Sequence, residues 1–312
     1  MAFLNNCIGV SVPSRTRSNE DISNLFPEWD SASIFNKIGI KNRFICARHE
    51  NSLSLAVGAY LNLKMKVEDF SFDFLLFVSN SSQMKAPGDG HRFLNEISNS
   101  SSVGCLDLNM GCSGYTYALG LAASIIDAGN ASNVLVMTTD AYSKFIVEGD
   151  KSNMAIFGDG STASIVSKVP ITKASWEIQN FKFGSNGLGY KDLNITQPRS
   201  DDSGILFMDG KKIFDFTANE VVNFINDQGI DRNYLYIFHQ ANAFMLDYMR
   251  RKLGISPSNF LISMENRGNT VSSSIPFVLN DFCEMILGQN IFLCGFGIGA
   301  SYSSIVLKGN DY

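Results

Sequence analysis

The sequence predicts a layered α/β fold made of one motif used twice. Three observations carry this. Short strand-like runs alternate with helical stretches along the whole length, the pattern of α/β architecture. Matching runs recur in the two halves: "FDFLLFVSN" (72–80) with "YLYIFHQAN" (234–242), "NVLVMTTD" (133–140) with "NIFLCGFG" (290–297), and "STASIVSKV" (161–169) with "SYSSIVLKG" (301–309). The spacing also agrees, because Cys112 to Asn133 and Asn269 to Asn290 are both 21 residues. Sliding the halves together sets Cys112 against Asn269 and Ser79 against His239. The division expected is 1–168 and 169–312.

Within each half a helix fills the gap between matching points, over 113–129 in the first and about 271–288 in the second. The first is apolar all round, with Tyr115, Leu119, Ala122 and Ile126 on one stripe and Ala118, Leu121 and Ile125 on another. A helix of that kind is buried on every side, which places it between two sheets, in layers of helix, sheet, helix, sheet and helix. By contrast, "FDFTANEVVNFIND" (214–227) keeps Phe214, Ala218, Val221 and Ile225 on one face and reads as an outer helix. The stretches 13–33, 85–102 and 183–204 read as loops.

Composition narrows the function. Hydrophobic residues make up 45% and charged residues 18% of 312, so the chain is globular and large enough to bury a sizeable core. A net charge of −5 argues against a dedicated nucleic-acid binder. No basic leader opens the sequence and no apolar run approaches ~18 residues, so neither export nor membrane insertion is expected, and the cytoplasm is the expected location. Cys7, Cys46, Cys105, Cys112, Cys283 and Cys294 are scattered without metal-like spacing, and only three histidines accompany them. No metal site is expected, and Cys105, Cys283 and Cys294 read as buried free thiols.

Cys112, in "LNMGCSGY", is different. It stands where a helix begins, among free N–H groups and at the positive end of the helix dipole. That dipole contributes up to ~2 kcal/mol, or roughly 1.5 pKa units, which brings a thiol from about 8.5 towards neutrality. The same N–H groups can stabilise an oxyanion on a thioester attacked by the sulfur. Gly111 and Gly114 allow close approach. The duplication carries His239 and Asn269 towards the same crevice at the strand ends. A neutral imidazole and an amide are two uncharged donors, suited to an enolate oxygen formed as CO2 leaves. Asn269 also suits a plain helix N-cap.

These residues lie in blocks, "DLNMGCSGYTYAL", "FGDGSTASIV", "HQAN" with "RRKLGI", "RGNTVSSSIPFVL" and "GFGIGASYSSIVL". Together they resemble the thiolase superfamily, and within it β-ketoacyl-acyl-carrier-protein synthase III, over roughly residues 36–309. The resemblance implies a thiolase-like five-layer αβαβα fold, a homodimer and a Cys112–His239–Asn269 triad. It implies an oxyanion hole of backbone N–H groups at Cys112 and Ile298, and an acyl pocket that includes Ala86 and Phe296. Elongating condensing enzymes carry two histidines and thiolases a second cysteine, so Asn269 sets this chain apart from both. Plant-type polyketide synthases share the triad but are longer.

The reaction implied is a decarboxylative Claisen condensation of a Cys-bound acyl group, from acyl-CoA or acyl carrier protein, with a malonyl thioester. The alternatives are acyl transfer from Cys112 to a hydroxyl or amine, and a non-catalytic thioester-binding role. No permanently bound cofactor is implied; coenzyme A or phosphopantetheine thioesters are the substrates. At the mouth, Ser33 takes the place of a tryptophan that stacks on adenine in the family. Trp29 and Lys37 remain nearby, and Lys151 stands for a flanking arginine. Phe244 falls near a carrier-docking arginine, leaving Arg250, Arg251 and Lys252, with Lys211 and Lys212, as the basic patch for an acidic carrier protein. Ala86, small where a bulky aromatic is common, implies a roomier acyl pocket.

Overall fold

In the computed structural model, residues 1–67, 70–98, 102–196 and 204–310 are described. Nine strands form one hydrogen-bonded run, in the order Leu235–Phe238, Ile291–Gly297, Ser301–Asn310, Ser175–Ser185, Phe3–Ser11, Gly160–Ser167, Asn133–Asp140, Phe74–Val78 and Gly104–Leu108. The two halves join where Phe3–Asn5 pair antiparallel with Ser175–Glu177. Moving outward from that seam, each half repeats the same sequence of pairings: antiparallel, antiparallel, then parallel. The six expected strands are present, and Asn133–Asp140 coincides with its expected bounds.

The helix Gly114–Asp127 packs against strands of both halves, and its first turns are buried on all sides, as its uniformly apolar sequence requires. With the helix Ser274–Asp281 it forms the middle layer, in a core that runs from Leu4 and Val78 to Ile237 and Leu293. The long helix Ser52–Lys66 covers the outer face of the first half. The segment Gly210–Phe216, a π turn at Thr217–Val221 and Val222–Asn226 cover the second, with Ala218, Val221 and Ile225 turned inward. Five layers result, as expected.

Three kinds of reading change: one helix, the loops and two thiols. The helix expected over 271–288 is regular only from Ser274 to Asp281, preceded by a 3-10 turn and followed by successive turns. The stretch 13–33 holds a strand, Arg15–Ser18, and a helix, Asn19–Leu25, started by a reciprocal Ser18–Asp21 capping box. The stretch 85–102 holds the helix Asp89–Glu96, and 183–204 holds a strand, Leu193–Thr196, paired with Ile205–Met208. These elements bury at most two apolar side chains each, too few to give a period. Residues 99–101 and 197–203 of those stretches lie outside the described residues. Cys105 and Cys283 are half-buried and only Cys294 of the three is fully enclosed, because Cys105 lies on the edge strand Gly104–Leu108 and Cys283 in the turns after the helix Ser274–Asp281. Among the described residues, no helix is long and apolar enough to cross a membrane.

Candidate active site

Cys112 sits in the short turn between the strand Gly104–Leu108 and the helix Gly114–Asp127. The second half pins that turn. Ser113 Oγ meets Ser301 Oγ at 2.7 Å, and Thr116 Oγ1 meets Ser303 Oγ at 2.6 Å. Glycines make the approach possible: a Cβ on Gly295 would lie 2.7 Å from Ser113 Cα, and one on Gly297 2.7 Å from Cys112 Cβ. The "GFGIG" segment is therefore a packing surface for the Cys112 turn as well as a bend of its own.

His239 follows the last residue of the strand Leu235–Phe238, and its N–H donates to the Cys294 carbonyl at 2.9 Å. Its Nδ1 lies 2.8 Å from Ser274 Oγ, and its ring meets Phe296 edge-on with centroids 5.6 Å apart. The Asn269 amide nitrogen is 3.3 Å from His239 Nε2. Asn269 does not cap the following helix, whose N-cap is Ser273. Instead Asn269 Oδ1 accepts from the Val271 N–H at 2.9 Å, which leaves the amide to face the imidazole. Left-handed backbone at Gly268 and Val271, with φ of 74° and 54°, bends the loop into that position. Residues of the first half hold it there, since Asn269 N donates to Ile156 O and Gly158 N to Asn269 O. One strand end gathers the groups: Phe296 meets His239, and the next residue, Gly297, packs on Cys112.

All three side chains are nearly enclosed, at 4%, 2% and 4% exposure for Cys112, His239 and Asn269. Burial depresses the His239 pKa to about 3, against the opposing pull of a bond to the Val271 backbone, so the ring is neutral. Burial, reinforced by the nearby Asp140 carboxylate, pushes the Cys112 thiol up to about 12. This corrects the expectation of a thiol near neutrality. The N–H groups of Ile298 and Cys112 do favour the thiolate, but desolvation outweighs them.

Four residues at the site escaped the sequence reading. Asp140, fully buried, accepts from the N–H groups of Asn80 and Ser272 and from the hydroxyls of Ser81 and Ser272. Burial raises its pKa to about 7. Its signal was a carboxylate ending an apolar strand. Ser274 sits on the imidazole, Asn80 lines the cleft that leads towards Cys112, and the buried Tyr142 donates to the Asn80 amide oxygen from behind. A cleft of about 1480 Å³ leads in from the surface and reaches Asn80, Met110 and Ile298, the last of which directs its N–H at the Cys112 sulfur.

The expected substrate-binding residues are more scattered. Trp29 packs on Ile22, Ile34 and Ala155, with Lys151 Nζ 5.0 Å from the centroid of its ring and paired to Glu28 at 2.7 Å. Lys37 is exposed on the last turn of the helix Ser31–Ile38, which packs against the helix Ala243–Lys252. On that second helix Arg250 and Arg251 both bind Asp247 at 2.7 Å, while Lys252 is exposed. Phe244 is exposed and stacks on Phe214 at 5.6 Å. Lys212 is paired to Asp192. Ala86 is exposed beside Lys85 and Pro87 at the cleft's mouth. Phe296 lies on the imidazole instead of along the cleft, because it belongs to the outer core with Phe238 and Phe292. Elsewhere, His91, Cys105 and Asp107 bring potential ligand atoms within 4.8 Å of one another.

Comparisons with known proteins bear on the family and the fold. Residues 106–187 match the family model of 3-oxoacyl-[acyl-carrier-protein (ACP)] synthase III, and 228–309 match the model of its C-terminal part. A β-ketoacyl-[acyl-carrier-protein] synthase III of Clostridium acetobutylicum is 30% identical over 96% of each chain. One of Streptococcus agalactiae is 32% identical over 95% of this chain and 96% of its own. A crystal structure of a 3-oxoacyl-(acyl-carrier-protein) synthase III superposes with a TM-score of 0.91 at 30% identity, covering 98% of this chain and 99% of that one. With both family models in chain order and relatives matched over nearly their whole length, the chain belongs to the 3-oxoacyl-[acyl-carrier-protein] synthase III family.

Proposed function

We propose that the protein is an acyltransferase that condenses a Cys112-bound acyl group with a malonyl thioester, releasing CO2 and giving a β-ketoacyl thioester. The observation that carries this is the pair of uncharged groups, Asn269 Nδ2 and His239 Nε2, buried 3.3 Å apart, with the strand end Phe296–Gly297 touching both the imidazole and Cys112.

In the first step Cys112 Sγ attacks the acyl thioester carbonyl. The new S–C bond replaces the old one, and the thiol proton ends on the departing thiol. Because Cys112 is protonated at rest, that proton leaves as the bond forms. Next, the malonyl C–CO2 bond breaks and its electron pair moves to the thioester oxygen. The step uses the tautomer in which Nδ1, 2.8 Å from Ser274 Oγ, accepts from that hydroxyl and Nε2 carries the proton, so Nε2–H and the Asn269 amide both donate to the enolate. A neutral ring suits this, since it has no charge to discharge onto the product. Finally the enolate carbon attacks the acyl carbon. The N–H groups of Cys112 and Ile298, already directed at the sulfur, hold the oxyanion, and the Cys112 thiolate leaves and takes up a proton from solvent.

The donor is an acyl-CoA or an acyl carrier, met at Trp29, Lys37 and Lys151 and at the helix bearing Arg250, Arg251 and Lys252. A second copy is expected at the strand Gly104–Leu108, which ends the sheet and leaves Leu106 exposed. Light scattering on the eluted protein tests the dimer. The reaction is tested by intact mass. An acyl thioester is expected to add its acyl mass to the wild type and nothing to Cys112→Ala, and a malonyl chase is expected to remove it with release of labelled CO2. An adduct that persists in Cys112→Ala overturns the assignment.

A further inference from the structure

The wall between Cys112 and the cleft is polar where an alkyl chain would need grease. Asn80 Oδ1 and Ile298 Cγ2 crowd Gly111 so closely that a Cβ there would lie 2.5 Å from the first and 2.7 Å from the second. The fully buried Tyr142 puts its hydroxyl 3.5 Å from the same point and donates to Asn80 Oδ1 at 3.0 Å. Asn80 Nδ2 in turn donates to Asn109 Oδ1 at 2.5 Å. The Asn80 backbone N–H is tied to Asp140 at 2.9 Å, so the amide is fixed from both ends.

This chain of side chains keeps unused capacity. One Nδ2 hydrogen of Asn80 and the Asn109 amide, both on the cleft wall, remain free for a ligand, and the enclosed Tyr142 hydroxyl fixes which way the Asn80 amide faces. An alkyl chain laid along them would displace their water and return no hydrogen bond. A hydroxyl or carbonyl oxygen would return one. Sites built to hydrogen-bond a substrate reject the analogue lacking the group far more strongly than apolar pockets reject an extra methylene.

We propose that Asn80, Asn109 and Tyr142 select an acyl group bearing a hydroxyl or oxo oxygen a few atoms from the thioester, in preference to the plain alkanoyl chain of equal length. The inference rests on Cys112 as the acyl carrier. The test compares (3R)- and (3S)-hydroxybutyryl, acetoacetyl and butyryl thioesters, each as CoA and as N-acetylcysteamine derivatives, with the rate of Cys112 acylation read by intact mass. An oxygenated group is expected to load at least about tenfold faster than butyryl. Tyr142→Phe and the surface change Asn109→Ala are each expected to narrow that ratio several-fold, chiefly by speeding butyryl. Butyryl loading as fast as every oxygenated thioester overturns the polar-acyl assignment and leaves Cys112 as carrier. An oxygen preference unchanged in both variants overturns the role of these side chains. No adduct from any thioester overturns the reading of Cys112 itself.

Discussion

The two halves place different chemistry at equivalent points. The strand Phe74–Val78 runs into Ser79 and the strand Leu235–Phe238 into His239, while Cys112 and Asn269 each precede a middle-layer helix. In the first half the point before the helix is a tight turn between glycines, packed from above by Gly295 and Gly297. In the second it is a wider loop, bent by left-handed Gly268 and Val271. The first geometry directs backbone N–H groups at a sulfur; the second turns a side-chain amide towards an imidazole. On the proposed mechanism, the repeated scaffold supplies one half with the bond-forming atom and the other with the donors for charge that develops elsewhere.

If that division holds, the largest effect comes from removing the second half's donors. His239→Ala and Asn269→Ala are each expected to lower condensation by about 10²–10³-fold, the usual cost of one lost oxyanion donor. Acyl loading should stay within a few-fold of wild type, as read by the same mass shift. Loss of loading to a similar degree in either variant would mean that the halves do not divide the work.

The next effect probes the contact between halves. Gly295→Ala introduces a Cβ 2.7 Å from Ser113 Cα, a backbone atom that cannot rotate away. Overpacking of this kind costs about 1–3 kcal/mol. A urea midpoint unchanged from wild type would show that the nucleophile turn is free to shift.

A subtler comparison is between the buried ionisable group of each half. His239 has its pKa lowered by burial to about 3, so the unfolded chain binds that proton first, and the stability His239 contributes is lost as pH falls below 6.5. Asp140 has its pKa raised by burial to about 7, so the folded chain holds that proton longer, and its contribution is lost as pH rises from 3.8 through 7. Between about pH 4 and 6.5 the two slopes oppose each other. His239→Gln should therefore make stability fall more steeply with rising pH, and Asp140→Asn should make it fall more steeply with falling pH. Each change is up to about 1 kcal/mol per pH unit, from urea midpoints at matched pH values. Parallel curves for wild type and both variants would mean that neither group titrates as its burial requires.

Much of this was legible in the sequence, for identifiable reasons. The strands could be read because β-branched and aromatic runs such as "NVLVMTTD" are short, unbroken and repeated in both halves. Cys112, His239 and Asn269 could be read because the repeat sets Cys112 against Asn269 and His239 against Ser79, at points just before a helix or just after a strand. The thiol's pKa was misjudged because a dipole can be inferred from a helix start, whereas full burial and the proximity of Asp140 depend on packing that no local pattern records. Tyr142 and Asn80 were missed for a related reason. They are 62 residues apart, and they meet only because Gly111 lacks a side chain at the point where they converge.

The smallest effect concerns how a carrier reaches the second half's surface. Asp247 binds both Arg250 and Arg251, and its carboxyl is held below its usual range first by its hydrogen bond to Arg250. It therefore cancels part of the charge that an acidic carrier would meet. Asp247→Asn should change stability by no more than about 1 kcal/mol, as an exposed ion pair would. It should tighten carrier docking about twofold at low salt, and Arg251→Ala should weaken docking by a similar factor. Both effects should vanish near 0.5 M salt, where exposed charges are screened. The helix offers a rival, the exposed Phe244 stacked on Phe214 with Tyr248 alongside. A loss of docking in Phe244→Ala that persists in high salt, with no response to Asp247→Asn, would transfer recognition from the basic side chains to that aromatic face.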